Sequence, residues 1–451
     1  MSAQQVAGQA KQAGLLQGLT GVDILMAIIL ATSSCEMILQ VNVAGLNFRF
    51  HQLLMMLVIF VAGLEAIRTD RIIVPIGFRE LMIWLGIGVV FLPNSPWIVR
   101  NIGYFFWAVL SSLTILAVVQ IYGRSLDRFM RLLRIYILSF LFTSSFAALQ
   151  FVAGLKGISL VTTQWLIEGR WARINGFTTE PSEYATYGLL GFISMVIWVF
   201  GGVSPLPRRT ITLTLLLSAL TLVLSTSRTA WAGILFIFVV AQGYILFKFL
   251  SGRRVHARTL RNSMLVTISI LSIFTYIAVY HFYVVQFFAQ GLGIFGGTAH
   301  SVDARTRAIE ATLQLITQNP LVGVGFGGVG PNLYMNNHAN FDVSTYVNAK
   351  VEGSNVFLEV IASTGIEGFL IFMFFIWKIC TPFFRLRRRD EKMYIIIFGL
   401  TVSLIIVLIS MMAGTNIFRG FIWYHIAILS AGLCVSIRGI GARNNEPFST
   451  V

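Results

Sequence analysis

Eight arginines stand out in an otherwise apolar chain: Arg49, Arg100, Arg170, Arg173, Arg228, Arg305, Arg307 and Arg419. Each falls at the end of an apolar stretch or in one of two long segments that separate such stretches. A single arginine beside a bilayer has an ordinary use, reaching up to lipid headgroups. Eight that fall on one side of the chain are better explained as a site for a strongly anionic group. The guanidinium suits phosphate because its planar fork makes paired hydrogen bonds and keeps its charge. Arg228 lies in Ser225-Thr226-Ser227-Arg228-Thr229, a tight turn between two apolar runs. Gly323-Val324-Gly325-Phe326-Gly327-Gly328 is dense enough in glycine for backbone N–H groups to approach a ligand and form an anion nest. A flexible turn explains those glycines equally well. They do not form a nucleotide loop, because no strand precedes them and no Gly-Lys-Ser/Thr follows.

The elements that must position these residues are membrane helices. The chain has 451 residues, 56% hydrophobic and 11% charged, against about a quarter charged in a soluble domain. Spanning a hydrocarbon core takes about 20 helical residues. Twelve stretches qualify, near residues 21–40, 50–67, 80–99, 101–122, 133–153, 183–202, 210–227, 229–250, 263–285, 353–379, 393–413 and 418–437. They are apolar all round and not alternating, so helices and not barrel strands are expected. Pro93, Asn94 and Pro96 are expected to break the third span early. The first span reads as a retained anchor, since the polar first 20 residues lack a signal-peptide pattern.

With the N-terminus inside, the inner segments carry 23 of the 33 Lys and Arg and the outer segments 10. Positive residues resist translocation, so the richer side is cytoplasmic and both termini face it. The net charge of +15 is then mostly topology and gives no argument for nucleic acid as a partner. The resulting organisation is all-α and polytopic. Residues 1–153 form the first helices and 154–182 the first long outer segment. Residues 183–285 form the central helices, 286–352 the large outer loop, and 353–451 the last helices and an inner tail. Cys35, Cys380 and Cys434 fall inside expected helices, so no disulfide framework is implied. No internal repeat is visible, which weighs against the transporters built from repeats.

The large loop can be read locally. Ser301 is a candidate N-cap with Asp303 in the first turn. Arg305, Ile309, Leu313 and Ile316 then recur on one helical face until Asn319-Pro320.

Four segments together resemble the O-antigen ligase and Wzy polymerase superfamily of bacterial membrane glycosyltransferases. Leu224-Ser225-Thr226-Ser227-Arg228-Thr229-Ala230 is similar to the family's Thr/Ser-x-Ser-Arg turn. Arg305, followed by Asn319-Pro320-Leu321-Val322-Gly323-Val324-Gly325-Phe326-Gly327, is similar to its Arg…Pro-Leu-x-Gly-x-Gly-x-Gly block. Asn355-Val356-Phe357-Leu358-Glu359, leading to Thr364-Gly365-Ile366-Glu367-Gly368, is similar to its Asn-x-x-Leu-Glu…Gly-x-x-Gly helix start. Residues 173–182, Arg-Ile-Asn-Gly-Phe-Thr-Thr-Glu-Pro-Ser, resemble exopolysaccharide polymerases in particular. The likeness covers roughly residues 173–370 and is carried by order and spacing more than by any one piece. Ligases of the family hold a histidine just before the Asn-x-x-Leu-Glu stretch, where this chain has Glu352-Gly353-Ser354.

The resemblance implies a GT-C-like fold and a sugar transfer on the periplasmic face of the bacterial inner membrane. The donor would be a glycan on undecaprenyl diphosphate, and the acceptor a sugar hydroxyl on another lipid-linked repeat unit. The bilayer is the obligatory environment, and a chain-length regulator would be a fitting protein partner. Arg173, Arg228 and Arg305 are expected to stabilise the leaving diphosphate. Glu180 is expected to take the acceptor proton, with Glu352 and His338 as runners-up; an ion pair with Arg173 is its ordinary alternative. Arg307, Arg419, Gly323, Gly325, Asn355, Glu352 and His338 are expected to bind substrate. Asp303, Glu310 and Asp342 are scattered, so neither a metal nor another cofactor is expected. A ligase acting on lipid A core, a transferase acting on protein, and a transporter or flippase remain open alternatives. A transporter should carry charge at mid-membrane; Asp23 and Glu36 in the first expected span and Glu359 and Glu367 in the tenth are few beside the many outer arginines.

Overall fold

The computed structural model describes residues 19–35, 40–43, 46–250, 300–318, 320–337, 355–386, 390–414 and 417–444, scattered residues from 261 to 282, and residues 342, 346 and 353. The chain opens with α1 (Gly21–Thr32), the strands β1 (Gln40–Val43) and β2 (Leu46–Arg49), and helices α2 (Phe50–Thr69), α3 (Phe78–Val90), α4 (Ile98–Tyr122) and α5 (Leu126–Leu155). A second pair of strands, β3 (Gln164–Ile167) and β4 (Trp171–Arg173), precedes α6 (Pro181–Phe200), α7 (Arg208–Leu224) and α8 (Arg228–Leu250). After the scattered helical residues come α9 (His300–Gln318), α10 (Val329–Asn337), α11 (Val356–Cys380), the short α12 (Phe383–Leu386), α13 (Glu391–Ser410) and α14 (Gly420–Asn444).

The helices begin where the sequence supplies caps. Thr20 accepts from the Asp23 N–H at the head of α1, Ser125 caps α5, and Asp390 caps α13. Pro181 occupies the first turn of α6, where its missing N–H costs nothing. Among the described residues seven helices are long and apolar enough to cross a membrane: α2, α4, α5, α6, α11, α13 and α14. Leu53, Leu57, Phe60, Leu64 and Ile67 recur every three or four residues along α2 and are all exposed. Such a stripe is stable only against lipid, so this is a membrane protein.

Two expected spans come out differently, and a third is left mostly undescribed. The first, 21–40, is helical only to Thr32, and Gln40 already pairs with Arg49 in the first hairpin. Its 12 residues rise about 18 Å, short of a hydrocarbon core of about 30 Å. The third, 80–99, stops at Val90 and passes into a 3-10 turn at Leu92–Asn94, where Pro93 was expected to break it. Helix α4 therefore starts at Ile98, three residues before the expected 101. The ninth, 263–285, lies mostly outside the described residues. The fold is also not purely helical, since each hairpin is a two-stranded antiparallel sheet.

Packing runs α14 against α4, α13 against α6, α11 against α3, α7 against α5 and α1 against α5. The core is built on Trp84, Trp198, Trp423, Tyr187, Phe140 and Phe372, all buried. Helix α5 sets the long dimension, because its 30 residues span about 45 Å. Beside its first turns Arg131 meets Asp23 at 3.3 Å, Arg128 meets Glu65 at 3.5 Å, and the Arg124 Nη2 donates to Thr69 at 2.7 Å. At its far end Gly154 packs on Ala172 of β4, and there the expected site residues assemble.

Candidate functional site

Ala172 faces α5, so its neighbour Arg173 points the other way by strand alternation. The Arg173 Nη1 donates to Gln164 directly across the hairpin. Its Nε donates to the Thr226 hydroxyl at 2.7 Å, in the turn between α7 and α8. That turn is tightly determined. The Ser225 hydroxyl donates to the Leu222 carbonyl at 2.7 Å, and the Ser227 and Thr229 hydroxyls bond each other at 2.7 Å. Thr226 holds a left-handed φ of 53°, a conformation that costs a branched residue free energy and recurs at functional sites. The result fixes Arg228 as the first residue of α8, where unpaired N–H groups already favour an anion.

Three arginines from three separate segments lie within electrostatic reach of one another here. Burial holds the Arg173 guanidinium below its ordinary pKa; the nearby Glu180 carboxylate opposes that shift and the Arg228 charge adds to it. Burial likewise lowers Arg228, and the positive charge of Arg305 on α9 adds to the effect. Arg228 is half-buried, and among the described residues it has no acidic or hydrogen-bonded partner. Arginine remains charged despite such shifts, so three positive charges gather here beside the Glu180 carboxylate.

Glu180 sits beside it as the residue preceding α6, exposed, with its Oε2 accepting from the Ser182 hydroxyl at 3.0 Å. Among the described residues no ion pair joins Glu180 to an arginine, so its ordinary alternative, a bridge to Arg173, is not formed. The backbone leading to it is knotted down. The Gln150 Oε1 on α5 accepts from the Asn175 and Gly176 N–H groups at 3.1 and 3.0 Å. The Asn175 Nδ2 donates to the Thr178 carbonyl at 2.6 Å, and the Thr178 hydroxyl donates to the Glu180 carbonyl at 2.7 Å.

Several expected substrate ligands have other employment. Arg419 forms an ion pair with Glu183, with both side chains largely buried. The Asn355 Oδ1 caps α11, accepting from the Phe357 and Leu358 N–H groups at 3.0 and 3.2 Å. The glycine run packs where α11 breaks at Gly365, φ 69°. The Val324 and Gly325 N–H groups donate to the Ala362 and Ser363 carbonyls, both at 2.9 Å, and the Gly328 N–H donates to the Gly325 carbonyl at 3.1 Å. With those three donors engaged, the run serves as a packing joint against α11. Its glycines are needed for closeness: a Cβ at Gly323 would stand 2.1 Å from the Ser363 carbonyl oxygen. Arg100 belongs to the same joint, donating to the Gly327 carbonyl at 3.0 Å and lying 5.2 Å from the ring centres of both Tyr104 and Tyr346. Arg307 and Arg170 are exposed. His338, Glu352 and Ser354 lie outside the described residues. The amphipathic helix expected from Ser301 is present as α9.

Residues 213–373 match the family model described as O-antigen ligase. That segment is similar to the O-antigen ligase family. It contains Arg228, Arg305, the glycine run and the kink of α11 at Gly365, in agreement with the motifs quoted above. Arg173, Glu180 and Glu183 precede the matched segment and Arg419 follows it, so the site draws on residues from both sides of that segment. No curated protein sequence matches the chain. Glu183 and Gln150 were not singled out in the sequence. Glu183 had a legible signal, since it stands three residues after the residue that precedes α6, the spacing of a capping box.

Proposed function

We propose that the protein is a polysaccharide polymerase, joining oligosaccharide repeat units carried on undecaprenyl diphosphate. The observation that carries this reading is Arg228, half-buried at a helix start and flanked by the charges of Arg173 and Arg305. A concentration of positive charge that exceeds the Glu180 counter-charge suits a ligand that brings about two negative charges of its own. Lipid diphosphate does so, and the family description supplies the glycan.

In the reaction the acceptor hydroxyl oxygen attacks C1 of the donor sugar as the bond from C1 to the diphosphate oxygen breaks. The electron pair of that bond leaves with the diphosphate, whose growing charge is stabilised by Arg173, Arg228 and Arg305. The proton of the attacking hydroxyl passes to Glu180, whose exposed carboxylate is open to an acceptor. The lipid tails remain in the bilayer while the sugars meet above it. The Lys and Arg distribution supports the periplasmic side of the inner membrane for this end of the bundle, and cytoplasmic termini.

A ligase that moves finished glycan to lipid A core is the second reading, favoured by the name of the matched family. Ser354, at the place where such ligases hold a histidine, argues for polymerisation. A strain lacking the protein should accumulate single repeat units on the lipid carrier. Accumulation of long lipid-linked polymer would overturn the polymerase reading in favour of the ligase.

A further inference from the structure

Glu183 and Arg419 lie 236 residues apart in sequence and form an ion pair at the head of α6, with side chains 13% and 12% exposed. The Arg419 Nη2 donates to the Glu183 Oε1, while the Oε2 accepts from the Thr179 hydroxyl and from the Glu180 N–H at 3.3 Å. Glu183 is thus held by a distant helix end and itself holds the backbone of Glu180. A largely buried ion pair is a poor device for stability alone, because desolvation cancels much of the attraction. It is a good device for fixing a position. The residue before a helix is ordinarily Ser, Thr, Asn or Asp, whose short side chain caps the first turn. Here that place is occupied by Glu180, and Glu183 engages the Glu180 N–H from inside the helix. The arrangement leaves the Glu180 carboxylate exposed and fixes the backbone that carries it.

We infer that Glu183 and Arg419 are positioning residues that set Glu180 for proton abstraction, and that neither touches substrate. The inference rests on the proposed role of Glu180. With its two oxygens engaged by three donors, Glu183 is not the base itself. Arg419 holds the start of α6 and belongs to no phosphate site. The second anchor of Glu180, through Thr178, Asn175 and Gln150, enters from the opposite side. Releasing one anchor leaves the residue attached but displaced, and a small displacement of a reacting group costs about a hundredfold in rate.

The test is a double-mutant cycle on the purified full-length protein with lipid-linked repeat units. Glu183→Gln should lower kcat by about a hundredfold with the donor KM unchanged. In the Glu180→Gln background the same substitution should change kcat by no more than about twofold, because it acts through the residue already lost. Arg419→Gln should repeat both results, and Arg419→Lys, which keeps the charge, should restore most of the activity. Arg419→Gln and Arg419→Lys run the cycle in place of Glu183→Gln if that variant fails to accumulate. Equal losses in both backgrounds, or a raised donor KM at unchanged kcat, would overturn the positioning role. Full activity in Glu180→Gln instead sinks the base assignment itself, a result that the single variants separate from the first.

Discussion

Replacing Arg228 by alanine should have opposite effects on activity and on stability. In the protein as it stands, the Arg228 guanidinium gives up solvation and faces the charge of Arg305, with no compensating partner among the described residues. Removing it relieves both costs, so the variant should unfold at the same temperature as the parent or slightly above it. Catalysis should move the other way. A lost charge-assisted bond to phosphate costs about 1.5–3 kcal/mol. At about tenfold for each 1.36 kcal/mol, the rate falls by about tenfold to somewhat over a hundredfold. Arg228→Lys should recover only part, because an ammonium cannot reproduce the paired geometry of the fork. Arg68→Ala is the control: Arg68 pairs with Glu65 beside the first turns of α5, at the end away from the site. The assay is polymer formed from lipid-linked repeat units by purified protein, alongside a thermal unfolding curve for each variant. Full activity in Arg228→Ala would refute the reasoning. Loss of activity accompanied by a lower unfolding temperature would refute it too, because the residue would then be holding the fold.

Gly325→Ala should lower thermal stability by about 1–3 kcal/mol. The position has φ +77°, and the added Cβ would lie 2.5 Å from the Asn101 Nδ2 and 2.7 Å from the Phe91 carbonyl oxygen; an unchanged unfolding curve would show that the joint is slack. For orientation, a cysteine at Asn336 should react with an impermeant thiol reagent in intact cells and one at Arg388 should not. Labelling at Arg388 from outside would invert the assigned sides and the site with them.

Where local chemistry sets structure, the sequence was a good guide. The apolar face running from Arg305 to Ile316 is part of α9, and the helix expected to break near Pro93 does end early. The arginine cluster was legible because cations at an expected outer edge are conspicuous in so apolar a chain. Arg419 and Asn355 have partners within the protein that the sequence does not reveal. A residue able to bind phosphate or sugar can equally bind a carboxylate or a helix N-terminus, and only the tertiary partner decides. Glu183, the partner of Arg419, comes from another helix, and no local pattern announces it. The packing role of the glycine run was not legible, because its carbonyl partners Ala362 and Ser363 lie on α11, across a break that Gly365 alone hints at.

The stretch from Gly154 to Pro181 has a consequence for how such proteins diversify. It brings Arg173 and Glu180 to the site, yet it lies wholly before the matched segment. Its attachments to the rest include Gln150 on Asn175 and Gly176, Arg173 on Thr226, Phe177 stacked on Phe146, and Ile174 packed with Ala147 and Tyr184. A segment secured in this way can be exchanged as a cassette, its turns and exposed residues drifting to suit a new sugar while its anchors hold the reacting groups in register. Chimeras that transplant it between relatives should therefore carry Gln150, Thr226, Glu183 and Arg419 along with it.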